Sequence, residues 1–167
     1  MSLRRRVKLN IELTLAGEET LDLRLPGLLP RERLGEILRK HLLGDGWVPE
    51  GDKVARRSTG GSEVCDPAAG TVTVALEREA PRTGETEPEE DLDAARRRIA
   101  GRIRREFTDE LEGRIEKVRG EFLRKYVPAT VADAVVEKAR ALDPAARVTR
   151  SETDGELVVS IELEAAP

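Results

Sequence analysis

Val7, Leu9, Ile11, Leu13 and Leu15 alternate with Lys8, Asn10, Glu12 and Thr14, the period-two pattern of a strand with one buried face. Ala16-Gly17-Glu18-Glu19 reads as a turn, and Leu21, Leu23 and Leu25 then resume the alternation. Pro26-Gly27 ends this second strand. Leu34, Ile37, Leu38 and Leu42 recur at helical spacing across Pro30–Leu42. Each of these elements has one apolar face, and a helix laid across a sheet buries them all in two layers. The order strand, turn, strand, helix therefore points to an α+β chain.

Downstream, Gly44 to Asp52 is a loop rich in helix and strand breakers, and Lys53–Ser58 reads as a short, mostly polar strand. Glu63-Val64-Cys65 is a brief return, and Thr71–Leu76 is a clear strand with Val72, Val74 and Leu76 on one face. Glu79–Glu90 carries Pro81, Gly84 and Pro88 among acidic residues, the composition of a solvated linker. The sequence thus divides into a sheet module (residues 1–78) expected to fold independently, a linker (79–90) and a second module (91–167).

The second module opens with a long helix from Glu89 to Tyr126, which Val127-Pro128 should end. Its apolar stripe is Ile99, Ile103, Phe107, Leu111, Ile115, Val118 and Phe122, almost always four residues apart. One apolar residue per turn is a thin stripe for a globular helix, and Gly101, Gly113 and Gly120 weaken the helix further. These seven residues are the candidate partner-binding set, for another protein or for self-association. Thr130 is placed to cap a second helix reaching Leu142. Arg147–Ser151 and Leu157–Leu163 flank Asp154-Gly155, a strong hairpin signal, with Leu157, Val159, Ile161 and Leu163 on its expected buried face.

Val7–Leu42 followed by Thr71–Leu76 resembles the ubiquitin-like β-grasp fold in the order of its elements. That resemblance implies a ββαββ sheet with one crossing helix. It rests on no diagnostic motif, and an ordinary α+β sandwich gives a similar order. Two departures stand out: Val54-Ala55-Arg56-Arg57-Ser58 lacks apolar alternation, and Gly60-Gly61 lies in a turn instead of ending the module. Val135–Leu142 with Arg147–Leu163 is faintly similar to accessory proteins encoded beside AAA+ ATPases in bacterial multi-component systems.

Composition narrows the functional classes. The chain is 37% charged and only 2% aromatic, so it lacks the stacking platforms of single-strand nucleic-acid binders. A net charge of −4 gives no global pull toward nucleic acid or anionic membrane. Arg4, Arg5 and Arg6 are followed by alternation and not by an apolar run, unlike a signal peptide. No stretch has the length of a membrane span, and a cytoplasmic location is expected. High Arg, Ala and Gly usage suggests a GC-rich bacterial source.

Cys65 is the single cysteine and His41 the single histidine, too few for a zinc site. Glu63 and Asp66 beside Cys65 disfavour a thiolate, and His41 is placed to interact with the end of its helix. No catalytic residue, cofactor or metal ligand is assigned. Arg96, Arg97, Arg98, Arg102, Arg104 and Arg105 form a basic block whose helical angles spread around the axis, with Arg102–Glu106 and Arg105–Asp109 as expected ion pairs. Three readings follow. The chain is a non-catalytic interaction module acting through the long-helix stripe, a nucleic-acid binder using the arginine block, or a small enzyme near Cys65 and His41.

Overall fold

The computed structural model describes residues 6–87 and 89–163, so Arg4, Arg5 and Pro88 lie outside the described residues. The chain is α+β. Its strands are β1 (Lys8–Asp22), β2 (Val48–Glu50), β3 (Lys53–Ser58), β4 (Gly61–Asp66), β5 (Thr71–Glu85), β6 (Arg147–Thr153) and β7 (Glu156–Glu162). Its helices are α1 (Arg31–Gly44), α2 (Leu92–Glu121) and α3 (Val127–Leu142). Strands β1 to β5 form one antiparallel sheet in the order β1-β5-β4-β3-β2, and β6-β7 form a separate two-stranded sheet.

The turn expected at Ala16–Glu19 does not form. β1 is one strand that pairs with β5 along its whole length, from Lys8 opposite Glu85 to Asp22 opposite Thr71. The reason lies in the parity of the pattern: every inward residue from Leu9 to Leu25 is odd-numbered, so Gly17 and Glu19 simply continue the alternation. The expected ββαββ order is accordingly βαββββ, and the sheet carries nothing diagnostic of a ubiquitin-like fold.

The segment expected as a linker is also mostly strand, since β5 runs on through Glu85. Pro81 is tolerated because β5 beyond Leu76 pairs with β1 alone. This long β1–β5 ribbon is covered by the first half of α2. Leu9 with Ala95, Ile99 and Ile103 forms one apolar cluster, against which Ile11, Leu13, Leu15 and Ala80 pack. Arg78–Glu110 and Arg82–Glu106 (2.8 Å) tie strand to helix at its margin.

Close approach is what the ribbon's glycines provide. A Cβ on Gly17 would lie 2.9 Å from Leu111 Cδ2 and 3.2 Å from Phe107 Cε1, and one on Gly84 would collide with Ile99 Cδ1. Gly17 is therefore a packing residue where α2 crosses β1.

Nor does Val127-Pro128 end the long helix. The helix passes through a wider, π-helical turn at Phe122–Tyr126 and continues as α3. Val127 N–H bonds the Phe122 carbonyl, five residues back. The added residue per turn brings Pro128 to the start of α3, where a missing N–H is tolerated. Thr130 is not a cap: it is buried, and its hydroxyl donates to the Tyr126 carbonyl at 2.8 Å.

The main core draws on the five-stranded sheet, α1 and the long helix together. Leu21, Leu23, Val54, Cys65, Val72 and Val74 of the sheet side meet Leu38 and Leu42 of α1, and Ile115, Val118, Phe122 and Tyr126 of the long helix. The sheet module and the helical module thus share one core. α3 lies against α1 through Leu34, Ile37 and Ala134, with Arg33–Glu137 (2.8 Å) beside them. On the other sheet face the Thr20 and Thr73 hydroxyls lie 2.8 Å apart.

Candidate functional site

The stripe expected to bind a partner is spent inside the chain. Ile99, Ile103, Ile115, Val118 and Phe122 are all buried, and Phe107 and Leu111 are half-buried over Gly17. The stripe is thin because it faces a sheet whose own leucines and valines supply the rest of the core. Steps of four exceed the 3.6 residues of a helical turn, so the stripe drifts around the axis, from the β1–β5 ribbon to the main core.

The arginine block does not gather on one surface. Arg98 reaches back to Glu90 (3.0 Å), Glu87 (3.6 Å) and the Glu85 carbonyl (2.9 Å), fixing the entry to α2. Arg102 pairs with Glu106 at 3.6 Å as expected, whereas Arg105 donates to the Gly101 carbonyl instead of meeting Asp109.

Cys65 is fully buried in the main core, and burial together with nearby Asp66 pushes its thiol up to about 12. That environment disfavours a nucleophile. His41 is turned toward α3, where its Nε2 donates to Asp133 at 2.7 Å. Arg150 of β6 meets the other Asp133 oxygen at 2.6 Å. Burial pushes the Asp133 carboxyl up, but the hydrogen bonds from Arg150 and His41 outweigh it and hold the group below its usual range. Asp133 is thus the polar clamp joining α1, α3 and the C-terminal hairpin.

The densest polar chemistry lies where the main core runs out at the end of the sheet. Register sets this up. Val54, Cys65 and Val72 form one inward row, Arg56, Glu63 and Val74 the next, and Ser58, Gly61 and Leu76 the last. The poor apolar alternation of β3 has a cause: Arg56 and Ser58 face inward under α2. Arg56 donates to Glu63 at 2.9 Å and bidentately to Glu121 at 2.9 and 2.7 Å. Its guanidinium lies 4.6 Å over the Trp47 ring. The hydrogen bond to Glu121, with help from Glu63, outweighs burial and raises Arg56 above its ordinary range, and Arg56 in turn lowers Glu121.

Beneath it, three of the chain's four aromatic residues meet. Phe122 stands edge-on to Trp47 at 5.7 Å and tilts against Tyr126 at 5.0 Å. Trp47 Nε1 donates to the Tyr126 hydroxyl at 3.1 Å, and that hydroxyl donates to Asp45, which also accepts from Lys125 at 2.6 Å. Burial, reinforced by the bond to Asp45, raises the Tyr126 phenol. The wide turn aims both Phe122 and Tyr126 at Trp47.

Above this junction is an open groove of about 620 Å³ between β3 and the second half of α2. Six cationic side chains line it against two carboxylates, Glu63 and Glu121, both engaged by Arg56. Arg57 pairs with Glu50 and Lys125 with Asp45. Arg114, Lys117 and Arg124 have no carboxylate partner among the described residues. Arg114 Nη2 donates to Ser58 Oγ at 2.7 Å, while its Nη1 is buried against Gly61 with no acceptor. Sequence reasoning missed this set. Its trace is the spacing of Arg114, Lys117, Glu121 and Arg124, which shares one helical face beside the apolar stripe.

Among the described residues no group of three or more His, Cys, Asp or Glu is placed to hold a metal ion, and no helix is long and apolar enough to cross a membrane. Compared with known proteins, the chain matches no family model, no curated protein and no solved structure.

Proposed function

We propose that the protein is a non-catalytic interaction module, an adaptor or accessory subunit of a bacterial multiprotein assembly. Its docking element in this proposal is the C-terminal hairpin and not the long-helix stripe. The observation that carries the reading is that, among the described residues, β6 and β7 form a two-stranded sheet of their own, with an unpaired edge on each strand. Two strands are marginal by themselves, and an unpaired edge is a template for another chain.

The hairpin's apolar residues are only partly covered. Leu157 is 36% exposed, Val158 41% and Leu163 58%, while Val159 and Ile161 are half-buried over α3. The Asp133–Arg150 pair fixes the hairpin to the body, so it is presented at a defined angle. A bacterial assembly, with an ATPase among its members, is supported by the composition and the likeness of the tail. A β-grasp relationship belongs to the same proposal and is supported by α1 laid on the apolar sheet face.

Replacing Leu157 and Val158 by Glu tests the reading by co-purification from the native source. A stoichiometric protein partner held by the wild type and lost by the variant, with an unchanged melting temperature, supports it. Equal recovery by both, or no stoichiometric partner, overturns it.

A further inference from the structure

We propose that the basic groove between β3 and the second half of α2 binds an oligophosphate, a compact anion carrying two or more linked phosphate groups. The protein is acidic overall, at −4, yet this groove gathers six cations around two carboxylates that Arg56 already engages. Concentrating like charge against the sign of the whole molecule is unfavourable unless something neutralises it. Among the described residues no carboxylate does so for Arg114, Lys117 and Arg124.

The chemistry of these three selects the ligand. Two are arginines, whose fork matches the oxygens of a phosphate. Together they offer many donors and no acceptor, so the ligand must be dense in acceptors. A phosphate group carries close to two charges and three strong acceptor oxygens, whereas a carboxylate carries one charge on two oxygens. Arg114 and Lys117 are neighbours on the helix, and Arg124 lies about 15 Å further along the axis from Arg114 at the helical rise. A single phosphate cannot serve both ends, but a linked pair or triplet reached by long side chains can. Drawn off Gly61 by the ligand, Arg114 gains the acceptor its buried Nη1 lacks.

The groove presents no open aromatic face for a base. Trp47 is buried, under Arg56. Recognition is therefore of the phosphates, not of a nucleobase.

The test is isothermal titration of the intact chain with tripolyphosphate at low and moderate salt, with the fluorescence of Trp47, which lies beneath the groove residue Arg56, as a second readout. The combined variant Arg114→Gln, Lys117→Gln, Arg124→Gln is compared with Arg96→Gln, Arg97→Gln, Arg104→Gln, which removes the same charge from outside the groove. Saturable one-to-one binding, weakened about tenfold or more by the groove variant and within about twofold by the control, is expected. Relief of like-charge repulsion should leave the groove variant at least as heat-stable as the wild type, so lost binding is not lost folding. Three results would overturn the proposal: no saturable binding, equal weakening by both variants, or octaglutamate binding as tightly as tripolyphosphate.

Discussion

Phe122→Ala is the sharpest perturbation of the junction that joins sheet and helices. Phe122 is fully buried, and the two rings against it are tethered: Trp47 bonds Tyr126, and Tyr126 bonds Asp45. Neither ring is free to move into the space left behind, so little of the cavity collapses. Phe→Ala in a core costs ~3–5 kcal/mol, and lost edge contacts of ~0.5–1.5 kcal/mol each place this site in the upper part of that range. Against a total stability of about 5–15 kcal/mol, the variant is severely weakened. With a urea slope of about 2 kcal/mol/M, the midpoint should fall by roughly 2 M. Urea titration followed by Trp47 fluorescence and by far-ultraviolet circular dichroism checks this. The two signals should coincide in the wild type, because one core spans both halves. A shift below about 0.5 M, or a fluorescence change with no matching loss of helix signal, would refute the shared core.

Acid should destabilise the fold. The Glu121 and Asp133 carboxyls sit below their unfolded values in the folded chain, so their stabilisation is complete above those unfolded values, near pH 4, and is lost as pH falls through the lower folded ones. A thermal midpoint that stays constant or rises from pH 5 to pH 2 would contradict this. Gly17→Val puts side-chain atoms where Leu111 and Phe107 lie and should cost ~1–3 kcal/mol by overpacking; an unchanged urea midpoint would mean that α2 does not press on β1 there. Cys65 should resist native alkylation at pH 8 and react fully in urea, since its thiol is buried and pushed up to about 12. Rapid native labelling would place it outside the core.

The legible parts of the fold were those where local chemistry and tertiary structure agree. Lys53–Ser58 is the strand its flanking turns indicate, and Asp154-Gly155 turns the hairpin with φ of 52° and 76°, as a two-residue loop requires. The misread parts share one cause: a partner distant in sequence overrode a local signal. Gly17 looks like a turn residue until Phe107 and Leu111 are laid over it. Pro81 and Gly84 look like linker residues until β1 is seen to pair with them. Pro128 looks like a helix stop, yet one wide turn absorbs it. The unbroken odd-number parity from Leu9 to Leu25 was the available clue to a single long strand. The groove was harder to read, because it needs β3 register and the α2 face together. Arg56, Arg114, Lys117 and Arg124 are scattered among many charged residues in the sequence.

Amide hydrogen exchange on the intact chain tests most directly that the long helix closes its own sheet while the hairpin is the element left with unpaired strand edges among the described residues. The account predicts that Ile115–Phe122 of the helix and the core strands β3, β4 and Thr71–Leu76 share the highest protection and exchange through one global opening. It also predicts that β6 and β7 are the least protected strands, at the low-stability end from which binding elements are drawn. The opposite profile, with Ile115–Phe122 exchanging far faster than the strands and the hairpin as slowly as the core, would show a helix held loosely for another chain and would contradict the account.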